Sequence, residues 1–487
     1  MSDISTESLD SPAPARRGHP PALFVLFFAE MWERFSFYGM RALLVLYMTK
    51  ALQYADGHAY GIFGAYAGFV YATPLVGGML ADRFLGYRRA VILGGVLMCL
   101  GHFAMAVQHE VFFFGAMALI IAGNGFFKPN ISTLVGTLYE KGDPRRDGGF
   151  TIFYMGINIG AGVAPLICGY LGENIGWHYG FSLAGVGMVV GLAVFMWGTR
   201  FLGDRGLPPR PEAFRERIGG FLPKSWALLL GIVAFVPFAA YSLTLPTWVA
   251  WGMFVIAPVF LIYVIVIARR STPEERGGIF TVIILSLFSI VFWACFEQAG
   301  SSMTLFTDRE VDRRVFGWVV PTTWFLSVNP AFIVLLGIPF SILWGKLGRA
   351  HRDPSSPVKF GLGLILLALG FVAMVLAAQQ AKSSGQAALS WLILAYFLHT
   401  TGELCLSPVG LSAVTKLSPK RMAGLMMGFW FFCTAFAGIA GGVIAKFTSG
   451  DAGYGGVFLV IVYVSLGAGV LMLVLSPLLK KLTHGRA

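Results

Sequence analysis

Runs of about twenty apolar residues recur from Leu23 to the end of the chain, and each is long enough to cross a hydrocarbon layer of about 30 Å. In lipid every backbone N–H and C=O has to be satisfied within the spanning structure, which only helices and closed barrels achieve. A membrane barrel shows alternation over segments of about ten residues, and no such pattern is present. Only 12% of the residues are charged, against roughly 25% in a soluble domain. The chain therefore reads as an all-α polytopic membrane protein.

Fourteen candidate spans fall at 22–49, 58–81, 89–109, 111–138, 149–171, 177–199, 224–245, 248–269, 278–305, 324–347, 358–380, 388–416, 421–446 and 455–479. With the sides alternating, most of the 36 lysines and arginines lie in loops on the side of the N-terminal tail. The other side holds Lys50, Arg309, Arg313, Arg314, Lys382 and Lys446, while Arg34, Arg41 and Lys128 fall inside spans. Positive loops mark the cytoplasm, so both termini are expected there. A missed or extra span would scramble this alternation. The net charge of +12 is thus a property of loop topology, and no nucleic-acid partner is expected.

Residues 1–21 read as a disordered cytoplasmic tail without the apolar core or cleavage site of a signal peptide. Residues 22–199 form an expected N-terminal six-helix bundle, 200–223 a basic cytoplasmic linker, 224–269 a two-helix insert and 278–480 a C-terminal six-helix bundle. This layout of 14 transmembrane helices is similar to the major facilitator fold, two six-helix bundles here with two additional helices between them and a binding site at mid-membrane. The cysteines Cys99, Cys168, Cys295, Cys405 and Cys433 all sit in apolar segments with no CxxC pair, so we read them as packing residues and expect no metal site. No HExxH, GxSxG or paired aspartates at a helix break suggests an enzyme, and no repeated filter segment suggests a channel.

Seven charges remain inside the spans: Glu30, Glu33, Arg34, Arg41, Lys128, Glu297 and Glu403. Each costs on the order of 3 kcal/mol at membrane depth, and burying all of them dry would be very costly. An aqueous cavity resolves this. At 100° per residue, Glu30, Glu33, Arg34, Tyr38 and Arg41 share one side of the first helix, and Glu30 and Arg34 are i,i+4 partners able to form an ion pair. Protonating such a carboxylate would release its arginine, which links proton binding to the binding of an anionic group. The bases belong to the first half and Glu297 and Glu403 to the second, so a cavity between the halves would have a positive and a negative wall. Its matching ligand is a zwitterion, an amino acid or a short peptide. Trp293 lies one turn from Glu297, Ser407 and His399 one turn from Glu403, and Tyr154 one turn from Asn158. Asn329 precedes Pro330, where a helix break would free backbone carbonyls. We read His399 as a packed histidine.

These residues also carry a resemblance. Glu30-Met31-Trp32-Glu33-Arg34-Phe35-Ser36-Phe37-Tyr38-Gly39 resembles the ExxERFxYYG signature of proton-coupled oligopeptide transporters of bacterial type, with Phe37 in place of the first tyrosine. Phe153-Tyr154-Met155-Gly156-Ile157-Asn158-Ile159-Gly160 is similar to the family's FYxxINxG signature, and Gly78 to Arg89 is similar to the general facilitator loop motif. Gly125 to Asn130, Glu297-Gln298 and Gly402 to Pro408 also fit. The resemblance implies import of di- and tripeptides driven by protons, with no cofactor other than the coupling ion, in a monomer of the bacterial inner membrane among its lipids. It implies that Arg34, Tyr38 and Lys128 hold the peptide C-terminus and that Asn158, Asn329 and Glu403 hold its amine and backbone. Tyr71, Tyr154, Trp293, Ser407 and Trp430 would shape side-chain pockets, and Glu30, Glu33, Arg41 and Glu297 would couple the proton. Animal relatives place a coupling histidine in the second span, but here Gly61 to Tyr66 contains none. The alternative is a facilitator-type carrier of another small charged solute, nitrate or a drug.

Overall fold

A computed structural model describes residues 18–140, 143–210, 212, 216–218 and 222–483; the tail expected at 1–21 lies, as far as residue 17, outside them, as do parts of the expected linker. The first bundle comprises α1 (Pro21–Lys50), α2 (Asp56–Leu80), α3 (Tyr87–Met105), α4 (Glu110–Thr137), α5 (Arg146–Asn174) and α6 (Trp177–Gly198). Next come α7 (Lys224–Thr244) and α8 (Pro246–Arg270). The second bundle comprises α9 (Pro273–Phe296), α10 (Ser302–Glu310), α11 (Val328–Arg349), α12 (Ser356–Ser384), α13 (Leu389–Leu417), α14 (Ala423–Lys446) and α15 (Gly453–Leu482). Among the described residues, thirteen helical units are long and apolar enough to cross a membrane, with α9 and α10 counted as one unit from Glu275 to Glu310. The 30-residue α1 has the length as well, but Glu30, Glu33, Arg34 and Arg41 make it less apolar. With α1 the spans number fourteen, so the described residues at both ends of the chain lie on one face, called here the terminal face.

Within the first bundle α1 packs on α5 and α6, and α4 on α2 and α3. Within the second, α12 packs on α13 and α15, and α9 on α13, α14 and α15. Helices α7 and α8 lie outside both: α7 leans on α4, and α8 touches α2, α9 and α14. Their sides are largely bare, as expected of helices in contact with lipid on most faces.

The bundles meet chiefly through α2 and α14, and through α5 against α11 and the 3₁₀ turn before it (Thr322–Ser327). Glycine makes the first contact possible: a Cβ on Gly64 would lie 2.8 Å from the Cα of Gly442. Polar contacts gather on the face opposite the termini. Lys50 Nζ donates to Asp308 at 2.7 Å, and Arg309 clamps Asp56 through two bonds of 2.6 and 2.9 Å. Glu173 of α5 accepts from the backbone N–H groups of Thr322 (3.0 Å) and Thr323 (2.8 Å) and from the Thr323 hydroxyl (2.6 Å). A carboxylate from one bundle thus caps the unsatisfied N–H groups at a helix start in the other. Trp324 Nε1 donates to the Leu166 carbonyl beside it at 2.9 Å.

This face is shut by these bonds, which predicts the effect of removing one. With Glu173→Ala, a cavity-lining cysteine introduced as Ala42→Cys should react at least about threefold faster with an impermeant thiol reagent applied from the opposite face. Unchanged labelling would show that Glu173 does not hold the face closed.

Candidate functional site

Between the bundles lies a cavity of about 330 Å³. Its first-bundle wall carries Tyr38 and Arg41 from α1, Tyr71 from α2, Lys128 from α4, and Tyr154 and Asn158 from α5. Its second-bundle wall carries Trp293, Glu297, Asn329, Tyr396, Glu403 and Ser407. Tyr154, about two turns into α5 from the terminal face, is 46% exposed, whereas Tyr396, near the start of α13 and closer to the opposite face, is 3% exposed. With the opposite face latched, the cavity is reached from the terminal face.

Local sequence places these groups. In α4, Lys128 directly precedes Pro129, which lacks an N–H, and the hydroxyls of Ser132 (3.1 Å) and Thr133 (2.9 Å) donate to the carbonyls of Lys128 and Pro129. Lys128 Nζ then rests 4.8 Å from the Tyr71 ring centroid, a cation–π contact that leaves ammonium hydrogens facing the cavity. The ninth span breaks after Phe296 into a 3₁₀ turn (Glu297–Gly300). Gln298 supports the break by donating to the carbonyls of Ala294 (3.1 Å) and Gly441 (2.9 Å) and accepting from Ser302 (2.6 Å). This turn presents Glu297 to the cavity, where Arg41 of the other bundle donates to it in a direct ion pair. The guanidinium of Arg41 also lies 5.2 Å from the Phe63 ring centroid.

On the acidic wall Asn329 Nδ2 donates to Glu403 Oε2 at 2.9 Å and to Thr400 Oγ1 at 3.0 Å, and the Thr400 hydroxyl donates to the Tyr396 carbonyl at 2.7 Å. This chain fixes the Glu403 carboxylate toward the cavity. The break expected at Pro330 does not occur. Pro330 is the third residue of α11, directly after the 3₁₀ turn Thr322–Ser327, and the chain stays helical through it.

Three residues expected to touch substrate or switch its binding lie behind the wall. Arg34 is buried, with its Nε donating to Glu33 and lying 3.1 Å from a Glu30 carboxylate oxygen in an ion pair. The expected i,i+4 pair is therefore present, enlarged to a triad with the adjacent carboxylate. Helix α5 approaches it through Gly160, whose added Cβ would lie 2.2 Å from the Met31 carbonyl and 3.1 Å from the Arg34 Cβ. Trp430 also lies off the wall. Its ring covers Gly410 and meets the Phe360 ring edge-on at 6.4 Å, and neither neighbour lines the cavity, so the expected pocket-shaping contact is not made. His399 is packed 4.6 Å from the Phe371 ring centroid, as expected.

Sequence reasoning missed Tyr396 and Asn124. Tyr396 stands two helical turns before Glu403 on the same stripe of α13. Asn124 stands one turn before Lys128 and donates to Glu33 Oε1 at 3.3 Å. Extending the one-turn rule along both helices would have found them.

A family model for PTR2, the POT family, matches residues 88–454 of this chain. The chain belongs to the POT family. Its relatives there include the peptide transporter YePEPT of Yersinia enterocolitica, 40% identical over 458 residues covering 89% of each chain. A di-/tripeptide transporter of Lactococcus lactis subsp. cremoris is 38% identical over 435 residues, covering 85% of this chain and 86% of that one. A mutant of the peptide transporter POT in complex with alafosfalin superimposes with a TM-score of 0.86 at 38% identity, covering 96% of this chain and 97% of that chain. A POT family transporter in complex with 5-aminolevulinic acid gives 0.84 at 32% identity over 96% and 98%. The fold is thus that of POT transporters, two six-helix bundles with two further helices between them.

Proposed function

We propose that this POT family member imports di- and tripeptides together with protons by alternating access. The observation that carries the reading is the polarity of the cavity, with Lys128 and Arg41 on one wall and Glu403 and Glu297 on the other. A peptide zwitterion has the same separated charges. Lys128 and Tyr38 take the C-terminal carboxylate, joined by Arg34 once it is freed. Glu403, with Asn329 and Asn158 beside it, takes the amine and the peptide backbone. Tyr71, Tyr154, Trp293 and Ser407 bound the space for side chains. The relatives described as peptide transporters support this substrate class.

Glu30, Glu33, Arg41 and Glu297 are the proton-coupling groups in this reading. A proton on Glu30 or Glu33 loosens Arg34, and a proton on Glu297 loosens the tie to Arg41 that closes the opposite face. Protons are the coupling ion and no cofactor is needed. Both walls come from one chain, so the monomer is the working unit. The basic loops orient the terminal face, and with it both termini, toward the cytoplasm of a bacterial inner membrane.

Lys128→Ala tests the orientation of the substrate. Binding of a dipeptide with a free carboxylate should weaken about tenfold or more, the scale of one charge-assisted bond, while binding of its C-terminal amide changes little. Equal losses for both ligands would remove Lys128 from the carboxylate end.

A further inference from the structure

Asn124 is fully buried within the first bundle and serves no part of the cavity wall. Its Nδ2 donates to Glu33, while its Oδ1 is buried without a partner. A buried amide with one orphaned arm is a poor stabilising element, because an apolar side chain of similar shape avoids the cost. Its use therefore lies in the bond that it makes. That bond joins α4, which carries Lys128 one turn further on, to the carboxylate that grips Arg34 on α1.

We infer that Asn124 is a positioning residue for the proton switch, holding the charged Glu33 against Arg34 and linking that state to the helix that bears Lys128. An N–H donor favours the carboxylate over the acid, so Asn124 helps set the pH at which Glu33 lets go. The other groups around Glu33 are Arg34 and Glu30 on α1, Lys128 on α4 and Tyr66 on α2, with Arg41 and Tyr71 further along the cavity side. Helix α6 meets this stretch of α1 with Gly187, Met188 and Gly191, and α5 meets it with Gly160, none of them titratable. Asn124 is thus the neutral donor in a ring of charges, and changing it alters the switch without adding or removing a charge.

This inference rests on proton-coupled transport as proposed above. The test compares wild type with Asn124→Leu in proteoliposomes, reading peptide uptake against pH and peptide counterflow without a gradient. We expect counterflow within about twofold of wild type and the pH of half-maximal driven uptake displaced upward by about half to one unit, the scale of one hydrogen bond. In a Glu33→Gln background the same substitution should leave the pH profile of counterflow where it was. An undisplaced profile in the single variant, or an equal displacement in the Glu33→Gln background, would overturn the role. Should Asn124→Leu lose counterflow, Asn124→Ala is read in the same way; loss in both would make the amide a folding element and overturn the proposal. A wild type without proton-driven uptake would instead defeat the coupled-transport reading itself.

Discussion

Glu403→Gln should lower peptide affinity by about 10- to 100-fold while leaving the folded protein intact. The carboxylate faces the cavity and is held by Asn329 at 2.9 Å, so it is presented ready for an ammonium group. A hydrogen bond to a charged group is worth about 1.5–3 kcal/mol, and each 1.4 kcal/mol is a factor of ten in affinity. Glutamine keeps the shape and still pairs with Asn329, so the loss isolates the charge. The effect should be specific to the amine end: a ligand lacking its amino group should bind wild type and variant alike. Calorimetric titration in detergent reads both. Equal affinity of wild type and variant for an ordinary dipeptide would remove Glu403 from the amine site.

Glu297→Gln should abolish accumulation of peptide against its gradient, by about 100-fold or more, yet leave counterflow within a few-fold of wild type. Glu297 pairs with Arg41 across the two bundles, on the closed side of the cavity. Removing one partner of a buried ion pair typically costs about 3–5 kcal/mol, enough to redistribute a two-state equilibrium by two orders of magnitude or more. Glutamine can neither gain nor lose a proton, so opening of that face no longer answers to the gradient. Counterflow needs only binding and rocking. If the variant still accumulates peptide, or loses both modes together, the pair is not the coupling element.

The helices were legible because length and hydropathy alone decide a membrane span, and the expected spans fall on the observed helices with small differences at their ends. The ninth departs from this. The expected span 278–305 is two helices separated at Glu297–Gly300, since the bonds from Gln298 that sustain the break reach α14, far along the chain. Pro330 misled for the complementary reason. A proline at a helix start and one at a helix break read alike until the start is known. One-turn spacing recovered local partners such as Glu30 with Arg34. It could not find Arg41 with Glu297, 256 residues apart, or the capping of the α11 lead-in by Glu173. Trp430 shows the limit of carrying a role over by motif, because its ring is directed onto Gly410 and not into the cavity.

We propose that this cavity carries peptide zwitterions up their gradient on the energy of protons. Purified protein in liposomes, given an acid exterior and labelled dialanine, measures it directly. Labelled dialanine should accumulate inside above its external concentration and fall back to equality when a protonophore removes the gradient. Entry that only ever equilibrates, with or without the pH gradient, would contradict it.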